Sequence, residues 1–299
     1  MTAAERSNLK RADRKTYWKK NSAPRCFGRR FSKRPNPPNN CRYLWIARGT
    51  SFHIRDIWTG CGNISSRGVR FISRPKNSCE ENDQGGQTFR AKYPKWGNLH
   101  STIYTSFFEN LSQDFGNLDF IVHAVAFSDK EELKGDYVDT TKNNFLNTME
   151  ISCYSFTALI REALPFMNEK ANFLTLSYYG AEKVIPHYNV MGIAKSALET
   201  SVKYLAVDLG KKGFRVNAIS AGPVRTLAAS GISDFRYILK WNEYNAPLER
   251  NITLDDVGGA SVYLLSELSS GTTGEILHVD AGYNVVGMKN VNAPDISKV

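Results

Sequence analysis

Tyr188 and Lys195 stand seven residues apart in LSYYGAEKVIPHYNVMGIAKSALE, residues 176–199. At about 100° per residue, seven steps make nearly two helical turns, so on a continuous helix both side chains share one face. A lysine ammonium near a tyrosine hydroxyl favours the phenolate, because an opposite charge stabilises the ionised form. A tyrosine so placed donates a proton, or a strong hydrogen bond, to an oxyanion as it develops. Tyr178 adds a second phenol ten residues earlier. For a Tyr/Lys pair taken alone, the plain alternative is a half-buried helix with both groups solvated.

The elements around these residues read as alternating helices and strands. Ile103, Phe107, Phe108 and Leu111 recur at helical spacing, and Leu118–Val125 is a short apolar run that reads as a buried strand. Residues 141–168 read as a long helix, Asn172–Ser177 as a strand and 189–210 as a helix closed by Gly210 and Gly213. Phe214–Ser220 reads as a strand, 255–268 as a helix opened by Thr253 and the acidic pair Asp255 and Asp256, and Glu275–Asp280 as a last strand. Strands alternating with helices of this length imply right-handed βαβ units and a parallel sheet covered on both faces. The fold class is α/β, a doubly wound parallel sheet with an irregular basic N-terminal segment. Ligands then bind beyond the carboxyl ends of the strands, where Tyr178 falls.

The first third has a different texture. Residues 1–100 hold 22 Lys+Arg and 6 Asp+Glu, whereas residues 101–299 hold 17 and 23. Four of the five cysteines (Cys26, Cys41, Cys61, Cys79) and four of the five tryptophans also lie there. A basic arm normally suggests nucleic acid or an acidic membrane, but no basic helix face or interleaved stacking aromatics is present. No CxxC pair occurs, which argues against structural zinc, and five cysteines without a secretory signal fit ordinary thiols in a reducing cytoplasm. No run reaches the 18 or so apolar residues of a membrane span. Tyr43–Ala47 and Val69–Ile72 are short strand candidates. The domains are thus an atypical, poorly ordered basic segment at 1–102, a core at 103–290 and a tail at 291–299. A shift of reading frame in the coding DNA would produce the abrupt switch; a divergent extension is the alternative.

The motif at 176–199 resembles the NADH-dependent enoyl-acyl-carrier-protein reductases of the short-chain dehydrogenase/reductase superfamily. The superfamily at large leaves three residues between Tyr and Lys, whereas the enoyl reductases leave six, as Tyr188-NVMGIA-Lys195 does. The resemblance continues through HAVAFSDKEELKGDYVDT (123–140), ISCYSF (151–156), RVNAISAGPVRTLAASGISDF (215–235) and residues 251–288, and covers about 105–290. It implies a Rossmann-type fold and hydride transfer from NADH to the β-carbon of a trans-2-enoyl thioester. Its catalytic residues would be Tyr178, Tyr188 and Lys195. Val125, Lys195, Val224, Arg225, Thr226, Leu227 and Ala228 would bind NAD. Ser128, Tyr178, Tyr188, Ile232 and Phe235 would meet substrate, and 227–240 would form a mobile helix over the acyl chain. The implied partner is acyl-carrier protein and the implied assembly a cytoplasmic homotetramer packed through the helices near 141–168 and 189–210, with no membrane or nucleic acid.

His123, His187 and His278 have no mutual ligand spacing, so no metal site is expected. The glycine-rich strand–turn–helix expected at the start of such a fold has only a loose candidate, Gly60, Gly62 and Gly68. Two other readings stand beside the main one. The first is another short-chain reductase, such as a 3-oxoacyl-carrier-protein reductase. The second is a non-catalytic chain with a basic nucleic-acid-binding arm.

Overall fold

The computed structural model of the protein describes residues 43–47, 69–73, 101–224 and 235–296. Six strands form one sheet in the order β2-β1-β3-β4-β5-β6, every pairing parallel. They are β1 (Tyr43–Ala47), β2 (Val69–Ser73), β3 (Leu118–Ala124), β4 (Met167–Tyr178), β5 (Arg215–Ala221) and β6 (Ile276–Val279). The helices are α1 (Ser101–Phe115), α2 (Lys142–Met149), α3 (Ser155–Ala163), α4 (Asn189–Gly210), α5 (Phe235–Asn245) and α6 (Leu254–Leu265). Both short candidate strands of the first third are therefore in the sheet. The strand order reverses between β1 and β3, the switch point where such sheets leave a ligand crevice.

Buried strands explain the apolar runs. Ile121, Phe173 and Val216 face one core with Phe108, Phe156, Leu159, Leu198 and Val202. Their strand neighbours Phe120, Val122, Leu174 and Ile219 face a second core with Ile252, Val257 and Leu264. Alternate residues thus enter opposite layers, as a sheet covered on both sides requires. Each fully buried Phe or Leu side chain contributes roughly 1.5–3 kcal/mol.

The helix expected over 141–168 divides. After α2 the backbone makes a π turn at Glu150–Tyr154, continues as α3, and ends in a 3-10 turn at Leu164–Phe166. Pro165 lies in that turn and cannot continue the helical ladder. Met167 and Asn168, expected at the end of that helix, instead begin β4, which starts five residues before the strand expected at Asn172. The helix expected over 255–268 is α6 with a separate 3-10 turn at Glu267–Ser269. Its start carries a full capping box, with Thr253 Oγ1 accepting from the Asp256 amide and the Asp256 carboxylate accepting from the Thr253 amide. At its other end the Arg215 guanidinium donates to the Leu264 and Ser266 carbonyls at 2.9 and 3.0 Å, a cation placed where the helix is negative.

The sheet sets the height of the site. Tyr178 of β4 pairs with Ala221 of β5, which pairs with Val279 of β6. Tyr178, Gly222 and Asp280 therefore emerge together at the carboxyl edge. Among the described residues no helix is long and apolar enough to cross a membrane.

Candidate active site

The edge of β4 runs into a 3-10 turn at Tyr179–Ala181 and then, after a loop, into α4. Tyr188 is the residue capping α4, not a member of its first turn, so the pair with Lys195 is not built on one unbroken helix. Its neighbours His187 and Asn189 both have positive φ, 57° and 37°. Such backbone costs of order 1–3 kcal/mol per residue and recurs where a side chain must be aimed. The Asn189 side chain helps hold it by donating to the Gly135 carbonyl at 2.8 Å.

Two glycines make the room. A Cβ on Gly192 would lie 2.8 Å from the Gly180 carbonyl oxygen, and a Cβ on Gly180 would collide with the Tyr188 ring. Bare backbone on both sides lets the 179–181 turn press on the start of α4. The Tyr188 ring then packs edge-on against Tyr178, with ring centres 5.1 Å apart, and is only 7% exposed. Ser196 adds a hydroxyl donor to the Ala181 carbonyl.

Burial raises the Tyr188 phenol above its ordinary value, with smaller contributions from Tyr178 and Glu199, and burial does the same to Tyr178. Burial therefore favours the neutral phenol over the phenolate that the Tyr/Lys spacing favours. Both tyrosines are neutral donors. Lys195 is buried too, and burial lowers its ammonium to about 8 against an opposing pull from Glu199 and Cys153. Its Nζ donates to the Leu176 carbonyl at 2.7 Å.

Beneath the β3 edge a polar stripe fixes the loop at 123–128. The His123 ring nitrogens bond the hydroxyls of Thr175 at 3.0 Å and Ser155 at 2.9 Å. Ser152 accepts from the Phe127 amide and donates to its carbonyl. Thr148 donates to Ser128 at 3.0 Å, and Asn144 accepts from the Asp129 amide at 3.0 Å. Asn144, Thr148, Ser152 and Ser155 are all buried, and the sequence reading had passed over them. Their spacing of four, four and three residues is the signal for one helical face.

Val125 is buried just past β3, and Ser128 is enclosed by Asn144 and Thr148. Val224 follows Pro223 at the β5 edge and packs on the second core. Phe235 opens α5. Arg225, Thr226, Leu227, Ala228 and Ile232 lie outside the described residues, as do Cys26, Cys41, Cys61, Cys79 and Gly60, Gly62 and Gly68. Among the described residues no three His, Cys, Asp or Glu side chains cluster as metal ligands do.

A cavity of about 280 Å³ opens beside Tyr178, lined by Ile185, Pro186, Tyr237, Ile238, Trp241 and Tyr283 among others. Trp241 Nε1 donates to the Tyr283 hydroxyl at 2.7 Å, tying α5 to the turn after β6. Tyr237 and Ile238 fall within the 227–240 stretch expected over the acyl chain, and Trp241 and, some 40 residues beyond it, Tyr283 add to the lining. A concave, mainly apolar cavity with a few polar groups is the usual form of a small-molecule site.

Comparison with known proteins places the chain in a family. The enoyl-(acyl carrier protein) reductase family model matches residues 101–284. The chain belongs to that family. It is 66% identical over 190 residues to enoyl-[acyl-carrier-protein] reductase [NADH] 1 of Rhizobium meliloti, covering 64% of this chain and 70% of the relative. The Rickettsia typhi enoyl-[acyl-carrier-protein] reductase [NADH] is 57% identical over 183 residues, 61% of this chain and 70% of that protein. The crystal structure of the Anaplasma phagocytophilum reductase in complex with NAD aligns at 65% identity and TM-score 0.62, over 66% of this chain and 74% of that one. The Bacillus cereus enoyl-acyl carrier protein reductase with NADP+ and indole naphthyridinone aligns at 40% identity and TM-score 0.71, over 83% and 98%.

The residues present suit a dinucleotide. An ammonium has three donors, and among the described residues Lys195 spends one, on Leu176. The other two suit a vicinal diol such as a ribose. A Cβ on Gly222 would lie 2.9 Å from Asp280 Cα, so the β5 edge is bare backbone and close-packed.

Proposed function

We propose that this chain is an NADH-dependent enoyl-acyl-carrier-protein reductase of fatty-acid synthesis. The observation that carries the reading is Tyr178, which lines the cavity and packs edge-on against the buried Tyr188, in a chain of this family. Lys195 would hold the nicotinamide ribose through its two remaining donors, Val125 would line the cofactor cleft and the Val224 backbone would meet the nicotinamide amide. NADH, when bound, supplies a hydride for the β-carbon of the enoyl thioester.

As that carbon gains its new bond, the alkene electron pair moves onto the thioester, and its oxygen becomes an enolate oxygen. Tyr188 donates a hydrogen bond to that oxygen. A neutral phenol suits the task, since it carries no charge to repel the enolate and its bond strengthens as charge develops. Protonation of the α-carbon then completes the saturated thioester. Tyr178 shapes the cavity wall against Tyr188, and Ile185, Tyr237, Ile238 and Trp241 exclude water from the acyl chain. Arg225, Thr226, Leu227 and Ala228 would meet the cofactor, and Ser128, Ile232 and Phe235 the substrate.

Residues 103–290 are in this reading the reductase core, to whose sheet β1 and β2 add; 1–102 is a basic segment of different composition and 291–299 a tail. The reading extends to a cytoplasmic homotetramer. Tyr204 and Val207 of α4 are each 71% exposed, and Leu146 and Tyr154, from α2 and the π turn, are 54% and 46% exposed, which supports burial of these helices against other copies.

The test is absorbance at the nicotinamide band when the chain, NADH and a crotonyl thioester are mixed. Turnover that collapses in Tyr188→Phe supports the reading. Reduction of acetoacetyl thioester in place of crotonyl would move the chain to the 3-oxoacyl reductases. Tight, salt-sensitive DNA binding without NADH oxidation would refute the enzyme reading.

A further inference from the structure

The reduction as derived above uses Lys195 and both tyrosines and leaves a buried carboxylate beside them without a task. Glu199 lies one turn after Lys195 on α4 and is 8% exposed. Its Oε1 accepts from the Ser177 hydroxyl. Ser177 follows Leu176, whose carbonyl takes the Lys195 ammonium, and precedes Tyr178. Two residues one turn apart on α4 therefore grip two consecutive residues of β4, and the next residue of β4 is the tyrosine packed on Tyr188.

We propose that Glu199 is a positioning residue of the reduction: through Ser177 it fixes the end of β4, and through its charge it holds the Lys195 ammonium ready for the ribose. This rests on the reductase reading and adds a member to the same site.

The surroundings of both groups support it. A carboxylate buried with a single hydrogen bond is unfavourable unless nearby positive charge compensates; Lys203 lowers Glu199, and Glu199 in turn raises Lys195. Glu199 faces Lys195 and Lys203 on its own helix, Glu182 from the turn after β4 and His278 from β6. Burial and Glu182 push its carboxyl up, while Ser177, His278 and Lys203 pull it down. His278 is itself bound to Glu182 at 2.6 Å. Lys195 also faces His123 of β3 and Cys153 of the π turn. His123 is neutral at physiological pH, and burial raises the Cys153 thiol. Glu199 is therefore the main pull that opposes burial at Lys195.

Glu199→Gln separates the two roles, because an amide oxygen still accepts from Ser177 but carries no charge. Without that carboxylate the Lys195 ammonium falls further below about 8. The alkaline limb of NADH affinity and of kcat/KM moves to lower pH, and affinity at pH 8 falls about fivefold, while at pH 6.5 it stays near the parent value. Glu199→Asp keeps the charge and restores the limb. Ser177→Ala lowers kcat and leaves the limb in place. An unshifted limb in Glu199→Gln, or Glu199→Asp behaving like Glu199→Gln, overturns the proposal.

The 15N resonance of the Lys195 ammonium, assigned by its loss in Lys195→Met, reads the same coupling without turnover. In the parent chain it shows a second, acidic inflection as Glu199 ionises, and absence of that inflection overturns the proposal even if Glu199→Gln does not fold. A chain that shows the inflection but reduces no thioester would sink the reductase reading and leave the Glu199–Lys195 coupling standing.

Discussion

Gly180→Ala is a one-methyl test of whether ring placement governs the chemistry. A Cβ built on Gly180 lies 2.7 Å from Tyr188 Cε1, nearer still to Cδ1, and 3.4 Å from Tyr178 Cδ1. Carbon atoms rest at about 3.5–4.0 Å, so the Tyr188 ring must retreat by about 1 Å. It has nowhere free to go: it is 7% exposed, Tyr178 stands edge-on to it, and the Gly180 carbonyl is pinned against Gly192. A displacement of about 1 Å at a reacting group costs on the order of a hundredfold in rate, or about 2.7 kcal/mol of activation free energy. The kcat for crotonyl thioester should fall by that factor. NADH affinity should hold, because Lys195 is anchored on Leu176 rather than on the turn. The assay is steady-state kinetics with NADH titration by fluorescence, run also in a Tyr188→Phe background. If the methyl acts through the ring, the two losses are far from additive. A kcat within about threefold of the parent, or additive losses, would refute the reasoning.

Other consequences follow from buried titratable groups and from the cap. His123 is held down to about 3 by burial, with the Lys195 charge adding to it. Its folded-state value is below the ordinary one, so the neutral ring's stability is present above about pH 6.5 and is lost as pH falls toward 3, roughly 4–5 kcal/mol in all. Urea midpoints against pH should show this, and His123→Gln should flatten the slope. Lys195 behaves in the opposite sense from most lysines. Burial lowers it to about 8, so stability rises by roughly 3 kcal/mol between pH 8 and 10.5 while NADH affinity declines over the same window. Thr253→Ala removes the hydroxyl half of the α6 capping box and should cost about 1 kcal/mol in thermal unfolding, with kcat unchanged.

The chemistry was more legible in the sequence than the walls around it. Tyr178, Tyr188 and Lys195 sit within 18 residues of chain, so local spacing alone brings them to one edge. The break in the helix at 150–166 was hidden because apolar residues such as Ile151, Phe156 and Leu159 persist through it at helical intervals, and only Pro165 marks the end. Asn144, Thr148, Ser152 and Ser155 look like a solvated face by composition. They are buried because the loop at 123–128 lies on them, a contact over about 20–30 residues that no periodicity encodes. The cavity wall is harder still, since Tyr237, Trp241 and Tyr283 meet Tyr178 only once β4, β5 and β6 are in register.

Burial also decides which residue owns the alkaline limb. The sequence motif suggests a tyrosine brought into the neutral range by its lysine, which would make the phenol the titrating group. In the structure the two move apart: Tyr188 is pushed above its ordinary value near 10, and Lys195 is pulled to about 8. Below that point Tyr188 remains a donor and Lys195 remains a cation, the combination the reduction needs. As pH rises the lysine is the first to change, and what it loses is its charge toward the ribose. Tyr188→Phe should therefore abolish turnover yet keep the alkaline limb of NADH affinity, whereas Lys195→Met should weaken affinity and leave it flat across that range. A limb that vanished with the tyrosine hydroxyl would return the titration to Tyr188 and would mean that the lysine's field, not burial, sets the phenol.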